Sequence, residues 1–391
     1  MPTTSLNKLI ELERCFCIEK SAQIIQSMTA KPGKIKKPFS WDMFHERQIA
    51  MRISYIGWDL NGFVSQNETD ETVEGYLFQA LEKARLIKSR DKKECHYSLC
   101  GRTDAGVSGV GNVVSVRVRS IYPFGKGSIK NESAPIREEE LNYIQILNGI
   151  LPPMIRVTSI AYVDPDFNAR HNCISRSYRY LFHMFDKNLD KMKEAANLLI
   201  GKHDFRSFCK FSPANTTHCV REILSIEFHP ISQENGLWYF QIVGTAFIWH
   251  QIRCIASILF LIGDGYEEPS LINELFDIKR FPGRPQYPIA DPKPLIFWIA
   301  GYPDSIEWME PKDGSAEKEK IITAFNQMLL DSDIRNGVLR MFTDGKIIDK
   351  KKKKHTPITS LQMASPVEEV LRKYIDQKGV DLDSEEESVD E

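Results

Sequence analysis

The sequence predicts an α+β fold with a mixed, largely antiparallel sheet flanked by helices. The first observation is the order of the predicted elements, in which strands and helices follow one another without the regular strand–helix–strand period of a doubly wound fold. The second is the size and composition of the chain: 391 residues, 42% hydrophobic and 27% charged. These values are typical of a globular protein with two or three folding units. No short tandem repeat is found, so a repeat architecture is not indicated.

Ordered structure is predicted to begin near Arg47, with a strand that is followed by Gly57 and a turn at 59–62. The apolar residues Val73, Leu77 and Leu81 then share one face of a helix. The elements predicted for this first part are a strand at 48–55, a helix at 73–84, a short strand at 96–99, a glycine-punctuated loop at 101–111, a strand at 113–118 and a helix at 141–150.

The next part of the chain continues the mixed order. Its most apolar helix is predicted at 250–262, and residues 282–294 contain five prolines and must be irregular. The remaining predicted elements are strands at 156–163, 177–182, 222–228 and 237–245, and a helix at 191–199.

Hydropathy and cysteine spacing restrict the class of protein. The longest apolar run, Ile255 to Ile262, is far shorter than the roughly 20 residues that a membrane-spanning helix needs. The eight cysteines form no Cys-x-x-Cys pair and no regular framework. We therefore expect reduced thiols in an intracellular protein that does not span a membrane.

Charge is unevenly distributed although the formal net charge is −2. Residues 381–391 hold seven acidic residues and no basic residue, and without those seven negative charges the chain carries +5. Lysines cluster at 31–37 and at Lys350–Lys354, where they form either a solvated linker or a site of nuclear import or nucleic-acid contact. A moderately basic body is compatible with a polyanionic ligand but does not establish one.

Four segments outside the predicted core are expected to be peripheral to the chemistry. An amphipathic helix at 5–28 is predicted as an N-terminal appendage. The segments 120–140, 304–350 and 355–391 are rich in Ser, Lys, Glu and Gly, and we predict that they are insertions or tails.

The most informative segment runs from Cys100 to Val107 between two predicted strands. Gly101 and Gly106 allow a sharp bend, so the loop can project Arg102 and Asp104 together from the sheet edge. This pair of a cation and a carboxylate is compatible with catalysis. Spacing alone favours the alternative, in which Asp104 caps a turn and Arg102 is its exposed ion-pair partner.

The segment Gly101-Arg102-Thr103-Asp104-Ala105-Gly106-Val107 resembles the signature of the TruA-type tRNA pseudouridine synthases. Other landmarks of this family recur in order over about residues 48–302, roughly two thirds of the chain, and so many ordered matches make coincidence implausible. They include Tyr55-Ile56-Gly57, Asn61-Gly62-Phe63, Leu151-Pro152, Phe167-Asn168-Ala169-Arg170, Arg176-Ser177-Tyr178-Arg179-Tyr180, Gly201-Lys202-His203-Asp204-Phe205 and Phe247-Ile248-Trp249-His250-Gln251-Ile252-Arg253.

Within the family, residues 244–254 and the apolar helix after them look most like the eukaryotic branch that modifies nucleotides 38 and 39 of tRNA. One residue departs from that branch: Ala105 stands where it usually carries Lys, and so resembles the bacterial form.

The resemblance implies an isomerisation in which the N-glycosidic bond of uridine breaks and a C-glycosidic bond forms through C5, with no cofactor. It implies that Asp104 is the nucleophile, acting on the base or at the sugar. Arg253 would offset the desolvation of this carboxylate, and Tyr178 would stack on the target base and help remove the C5 proton. Arg102 would contact the RNA backbone and help hold the nucleotide out of its stack. Ile252 would form a wall of the pocket.

Two groups of residues are left outside the site. His203, Asp204 and Phe205 are predicted to pack and orient the sheet. The scattered His and Cys residues lack the spacing of zinc ligands, so no metal site is predicted.

The resemblance also implies the organisation of the chain: two halves around a basic cleft, tRNA as the partner, and a homodimer. We predict an N-terminal helix and basic linker at 1–45, halves of the synthase core at 46–165 and 166–303, and a C-terminal extension at 304–391. Localisation in the nucleus and cytoplasm is expected. Two alternatives stay open: the same chemistry at other tRNA or small nuclear RNA uridines, and a catalytically inactive tRNA-binding protein.

Overall fold

The structure is a computed structural model that describes residues 39–213, 218–232, 236–343 and 354–378. The helix predicted at 5–28, the lysines at 31–37, most of the Lys350–Lys354 run and the acidic tail lie outside the described residues. The chain separates into one unit at Met1–Met43 and a second at Phe44–Glu391. In the first unit, the described residues contain one 3-10 turn at Trp41–Met43.

The second unit is built on a single mixed sheet. Its order is β4-β1-β3-β10-β6-β9-β8-β7, with β2 beside β3 and β5 beside β1. Every pairing is antiparallel except that of β10 with β3. The predicted α+β class with a mixed, largely antiparallel sheet is therefore confirmed. The strands are β1 His45–Tyr55, β2 Ser98–Leu99, β3 Ser108–Ser120, β4 Ser128–Ile129, β5 Ile155–Tyr162, β6 Ser175–His183, β7 Gly201–Asp204, β8 Val220–Ser232, β9 Leu237–Gly244 and β10 Leu295–Gly301.

Helices pack on the sheet in two groups, each over its own hydrophobic cluster. Residues of α1 and α2 pack with β1, β3 and β5, and residues of α3, α4 and α5 pack with β6, β8 and β9. The α-helices of the described residues are α1 Val73–Lys83, α2 Tyr143–Asn148, α3 Leu189–Leu198, α4 Gln251–Gly263, α5 Leu271–Leu275, α6 Ala316–Phe342 and α7 Val367–Lys378. None of the helices in these ranges is both long and apolar enough to cross a membrane.

The predicted loop at 101–111 is shorter in the structure, because β3 already begins at Ser108. Gly109 and Gly111 lie within this strand, where a Cβ on Gly109 would come within 2.6 Å of the Tyr55 ring. These glycines allow close packing inside a sheet, although they were predicted to lie in a loop.

Several elements were not predicted from the sequence, among them β10, α6 and α7, the last of which lies in the predicted tail at 355–391. Residues Leu295–Gly301 form β10 at the centre of the sheet. The segment 304–350, predicted as an insertion, contains the 27-residue helix α6, which is capped by the Ser315 side chain. Only Ile321 of α6 is buried, and the apolar residues are distributed around the helix instead of along the one face by which an amphipathic helix is predicted. The predicted irregular structure at 282–294 is confirmed, and the boundary between the two predicted halves stays a prediction.

Candidate active site

The 100–107 loop connects β2 to β3 and is fixed by backbone hydrogen bonds to the turn after β1. Phe63 N donates to Thr103 O at 3.1 Å, and Gly106 N donates to Leu60 O at 3.3 Å. The loop itself closes with a hydrogen bond from Val107 N to Asp104 O at 3.1 Å. Asp104 therefore lies at a turn whose backbone position is determined by its neighbours.

Two buried side chains support the loop from beneath. The hydroxyl groups of Tyr55 and Thr103 are 2.8 Å apart. Asn112 donates to Gly101 O at 2.7 Å and accepts from Gly101 N at 3.2 Å. Each of these contacts links the loop to a strand and so restrains the position of the loop.

The Asp104 carboxylate contacts three side chains from the region where α4 begins. Nη1 of Arg253 donates to Oδ2 at 3.0 Å, and Nε2 of His250 lies 3.2 Å from the same oxygen. Nε1 of Trp249 donates to Oδ1 at 3.1 Å. The motif that contains Asp104 and the motif that contains Arg253 thus meet at one carboxylate, although these two residues are 149 positions apart in sequence.

Opposing influences act on the pKa of Asp104. Burial raises the pKa and is the largest single influence. Hydrogen bonds and positive charge, from His250 first and then from Arg253, lower it, and the net result is a pKa below the usual value. The carboxylate is therefore ionised at neutral pH inside a partly desolvated site.

Arg253 is fixed at both edges of its guanidinium group. Besides the contact with Asp104, its Nε donates to the carbonyl oxygen of Ala290 at 2.7 Å. Ala290 belongs to the proline-rich segment 282–294, whose irregular backbone leaves carbonyl groups free to accept. Ile252, next to Arg253 on α4, is buried and lines the cleft.

Tyr178 lies on β6 between two other aromatic rings. Its ring centroid is 5.3 Å from that of Phe247 and 4.8 Å from that of Phe297, both in edge-to-face arrangements. Burial, together with the nearby Cys100, raises the pKa of the Tyr178 phenol well above its usual value. The phenol therefore keeps its proton at neutral pH.

Arg102 is exposed and makes no hydrogen bond or ion pair with the residues that the structure describes. The sequence alternative that made Arg102 the ion-pair partner of Asp104 is wrong, because the partners of the carboxylate come from the region of α4. The Arg102 side chain is therefore separate from Asp104 and is exposed in the cleft.

All five predicted site residues line one open cleft with a volume of about 1150 Å³. They are Arg102, Asp104, Tyr178, Ile252 and Arg253. His250 and Trp249 also line it and contact Asp104, although no role was predicted for either residue. The only available signal was their place in the motif that ends at Arg253.

Potential metal ligands do not cluster in the described part of the chain. No group of three or more His, Cys, Asp or Glu side chains in those ranges is arranged to hold a metal ion.

Two of the residues predicted to pack the sheet lie in packed positions. The His203 ring stacks on Phe276 with a centroid distance of 4.3 Å, and Phe205 is fully buried.

Comparison with known proteins identifies the same family as the motifs. The sequence pattern described as tRNA pseudouridine synthase matches residues 195–303. The tRNA pseudouridine(38/39) synthase of Homo sapiens is 38% identical over 334 residues, covering 82% of this chain and 68% of the relative. The tRNA pseudouridine(38/39) synthase of Saccharomyces cerevisiae is 35% identical over 320 residues, covering 81% and 71%. The tRNA pseudouridine synthase A of Methanosarcina acetivorans is 29% identical over 263 residues, covering 67% and 87%. With this similarity along most of the chain, and with Asp104 held ionised in the cleft, the protein belongs to the tRNA pseudouridine synthase family.

Proposed function

We propose that the protein isomerises uridine to pseudouridine at positions 38 and 39 of tRNA. The observation that carries the chemistry is the Asp104 carboxylate, ionised and held by Arg253 within a cleft that is large enough for a nucleotide. The positions are supported by the relatives from Homo sapiens and Saccharomyces cerevisiae, both of which are named for nucleotides 38 and 39.

In this proposal Asp104 is the nucleophile and Arg253 is its charge partner. The isomerisation has no net redox change and consumes no water, so an ionised carboxylate in a fixed position is the principal requirement. Tyr178 stacks on the uracil ring.

The cleft supplies the contacts for the RNA backbone. Six Lys or Arg residues line it, against two acidic residues, Glu74 and Asp104. Arg102 has no partner among the described residues, so its charge is available for phosphate. Such contacts give an affinity that falls steeply with salt and depends little on base sequence. The six cationic residues are Lys92, Arg102, Arg170, Arg176, Arg221 and Arg253.

The function is tested by offering the purified protein a tRNA with uridine at positions 38 and 39. Matched variants of that tRNA carry cytidine at one or both positions, and pseudouridine is mapped at each nucleotide. We expect pseudouridine at 38 and 39 and none in the doubly substituted tRNA. Product confined to other tRNA or small nuclear RNA uridines would contradict the proposed positions and would make Ala105 the better indicator of the branch.

A catalytically inactive tRNA-binding protein is the competing function. It would bind the tRNA in the same experiment and leave every uridine unchanged. The geometry favours the enzyme, because holding a carboxylate ionised beside a partly buried Arg253 serves chemistry and weakens binding to a polyanion.

We also propose a homodimer that occurs in the nucleus and cytoplasm. The dimer is supported by the apolar side chains that α6 leaves exposed. Light scattering of the purified protein tests the dimer, and imaging of a tagged protein tests the localisation. Four of the exposed apolar side chains on α6 are Leu330, Ile334, Val338 and Met341, which are 57%, 67%, 49% and 82% exposed.

A further inference from the structure

His250 is the second residue near the start of α4 that contacts Asp104. Its Nε2 lies 3.2 Å from Oδ2, the oxygen to which Arg253 also donates. An ionised carboxylate can only accept, so Nε2 carries the proton in this contact. The His250 side chain is 14% exposed, which shields the contact from the solvent that weakens surface pairs. Oδ2 therefore has contacts with two side chains from one end of one helix.

The backbone and the second nitrogen of His250 are both in unfavourable states. Its φ angle is +63°, a left-handed conformation that residues with a side chain rarely adopt. Its Nδ1 is buried with no hydrogen-bond partner among the described residues. Strain and an unpaired polar atom persist where the surrounding structure imposes them, and they concentrate at functional sites. In this backbone conformation the His250 ring reaches Asp104.

The two oxygens of Asp104 have different environments. Oδ2 has the guanidinium of Arg253 and the imidazole of His250. Oδ1 has the indole of Trp249, a neutral donor that lies 3.1 Å away and belongs to a residue that is 38% exposed. Donors that carry charge form the stronger hydrogen bonds, so Oδ1 is the less restrained oxygen and lies beside the more exposed donor.

We propose that His250 is a positioning residue that acts with Arg253 to hold Oδ2 of Asp104, so that Oδ1 is the oxygen that acts on the uridine. This assignment rests on the pseudouridine synthase activity proposed above. Without His250, Oδ2 keeps its contact with Arg253 and Oδ1 keeps its contact with Trp249, so the carboxylate loses one of its three contacts and is held less firmly. The effect of His250 on the pKa of Asp104, described above, acts in the same direction by keeping the group ionised.

The test compares two substitutions that differ in reach. His250→Asn keeps a polar residue that tolerates the left-handed backbone, but its amide is too short to reach Oδ2. His250→Gln carries an amide donor about as far from the backbone as Nε2. With a tRNA substrate, we expect His250→Asn to lower kcat by about 100-fold, the usual effect of removing one fixed donor from an active site. KM should stay within about threefold, and His250→Gln should recover about a tenth of wild-type kcat or more.

Two controls separate positioning from folding and from general effects. His229→Asn removes another imidazole–carboxylate contact with the same 3.2 Å distance, from His229 to Glu227 on the exposed side of β8. It should not change kcat. Trp249→Phe removes the donor to Oδ1, and we expect its kcat to fall by less than that of His250→Asn. Thermal unfolding of each variant checks that it is folded.

The outcomes are distinct. A folded His250→Asn variant with wild-type kcat would overturn the assignment, and so would equal kcat losses in the Asn and Gln variants. A larger loss in Trp249→Phe than in His250→Asn would make Oδ2 the acting oxygen. A wild-type protein that leaves all tRNA uridines unchanged would contradict the proposed function and the assignment with it, whereas the other outcomes leave the function intact.

Discussion

Nη1 of Arg253 lies 3.0 Å from Oδ2 of Asp104, although 149 residues separate the two in sequence. Both side chains are partly buried, at 14% and 23% exposure. Breaking a partly buried pair by removing one member leaves the other charge uncompensated. This ion pair therefore predicts different effects for substitutions that remove the Asp104 carboxylate and for substitutions that change its partner, Arg253.

Asp104→Asn should abolish pseudouridine formation, to below about one thousandth of the wild-type rate, as removal of a nucleophile does. Asparagine has nearly the same shape, so folding and tRNA affinity should be largely kept. Rates are measured on a tRNA with U38 and U39, and affinity by filter binding. Measurable turnover by the pure variant would remove Asp104 from the role of nucleophile.

Arg253→Lys should lower turnover by about 10-fold to 100-fold while tRNA affinity changes little. Lys keeps the positive charge. It lacks the planar guanidinium group that contacts both the Asp104 carboxylate and the Ala290 carbonyl. Single-turnover rates and dissociation constants are compared for both proteins. Normal turnover with weakened binding would instead place Arg253 on the phosphate backbone.

The depressed pKa of Asp104 predicts how stability depends on pH. A carboxyl group with a lower pKa in the folded than in the unfolded state contributes stability above its unfolded pKa, about 3.9, and loses it as pH falls through the folded pKa. The difference in unfolding free energy between the wild-type protein and Asp104→Asn should be present at pH 5 and shrink as the pH falls below about 4. Denaturant titrations at each pH measure it. A difference that grows on acidification would mean that the pKa is raised.

Arg102→Ala should weaken tRNA binding and reduce the slope of log affinity against log salt by about one, as expected for one lost phosphate contact. Arg90→Ala is the matched control, since Arg90 is an exposed arginine outside the cleft that pairs with Glu82 and Asp70. Equal slopes for the wild-type protein and Arg102→Ala would show that Arg102 does not contact phosphate.

Gly101→Ala should destabilise the protein by about 1–3 kcal/mol, the usual effect of overfilling a packed interior. An added Cβ would come within 2.5 Å of the fully buried Phe297 ring. The control is Gly337→Ala on α6, where an added Cβ meets nothing within 4 Å. This substitution should stabilise the helix by about 0.5–1 kcal/mol. Thermal unfolding compares the two. An unchanged melting temperature for Gly101→Ala would show that the ring can move aside.

The site was more predictable from sequence than the sheet that holds it. Asp104 and Arg253 each lie in a long motif, so a resemblance carried by neighbouring residues identifies them although no local pattern connects them. The role of His250 depends on a positive φ angle and on the orientation of one ring, and neither has a signature in residue order. β10 is a short apolar segment after a proline-rich stretch, and α6 lacks a single apolar face, so periodicity predicts neither.

The position of β10 has a consequence for how the protein is made. Among the described strands, β10 is the one that pairs both with β3, which follows the Asp104 loop, and with β6, which carries Tyr178. A ribosome synthesises the chain from its amino end, so both groups of strands emerge before the strand that joins them. Pairing with β3 must then close over a separation of almost 200 residues, a non-local step of the kind that slows folding. Until residue 301 has emerged, the nascent chain lacks the strand that joins the two sides of the cleft. We therefore expect that the chain becomes active only after β10 has been synthesised and paired.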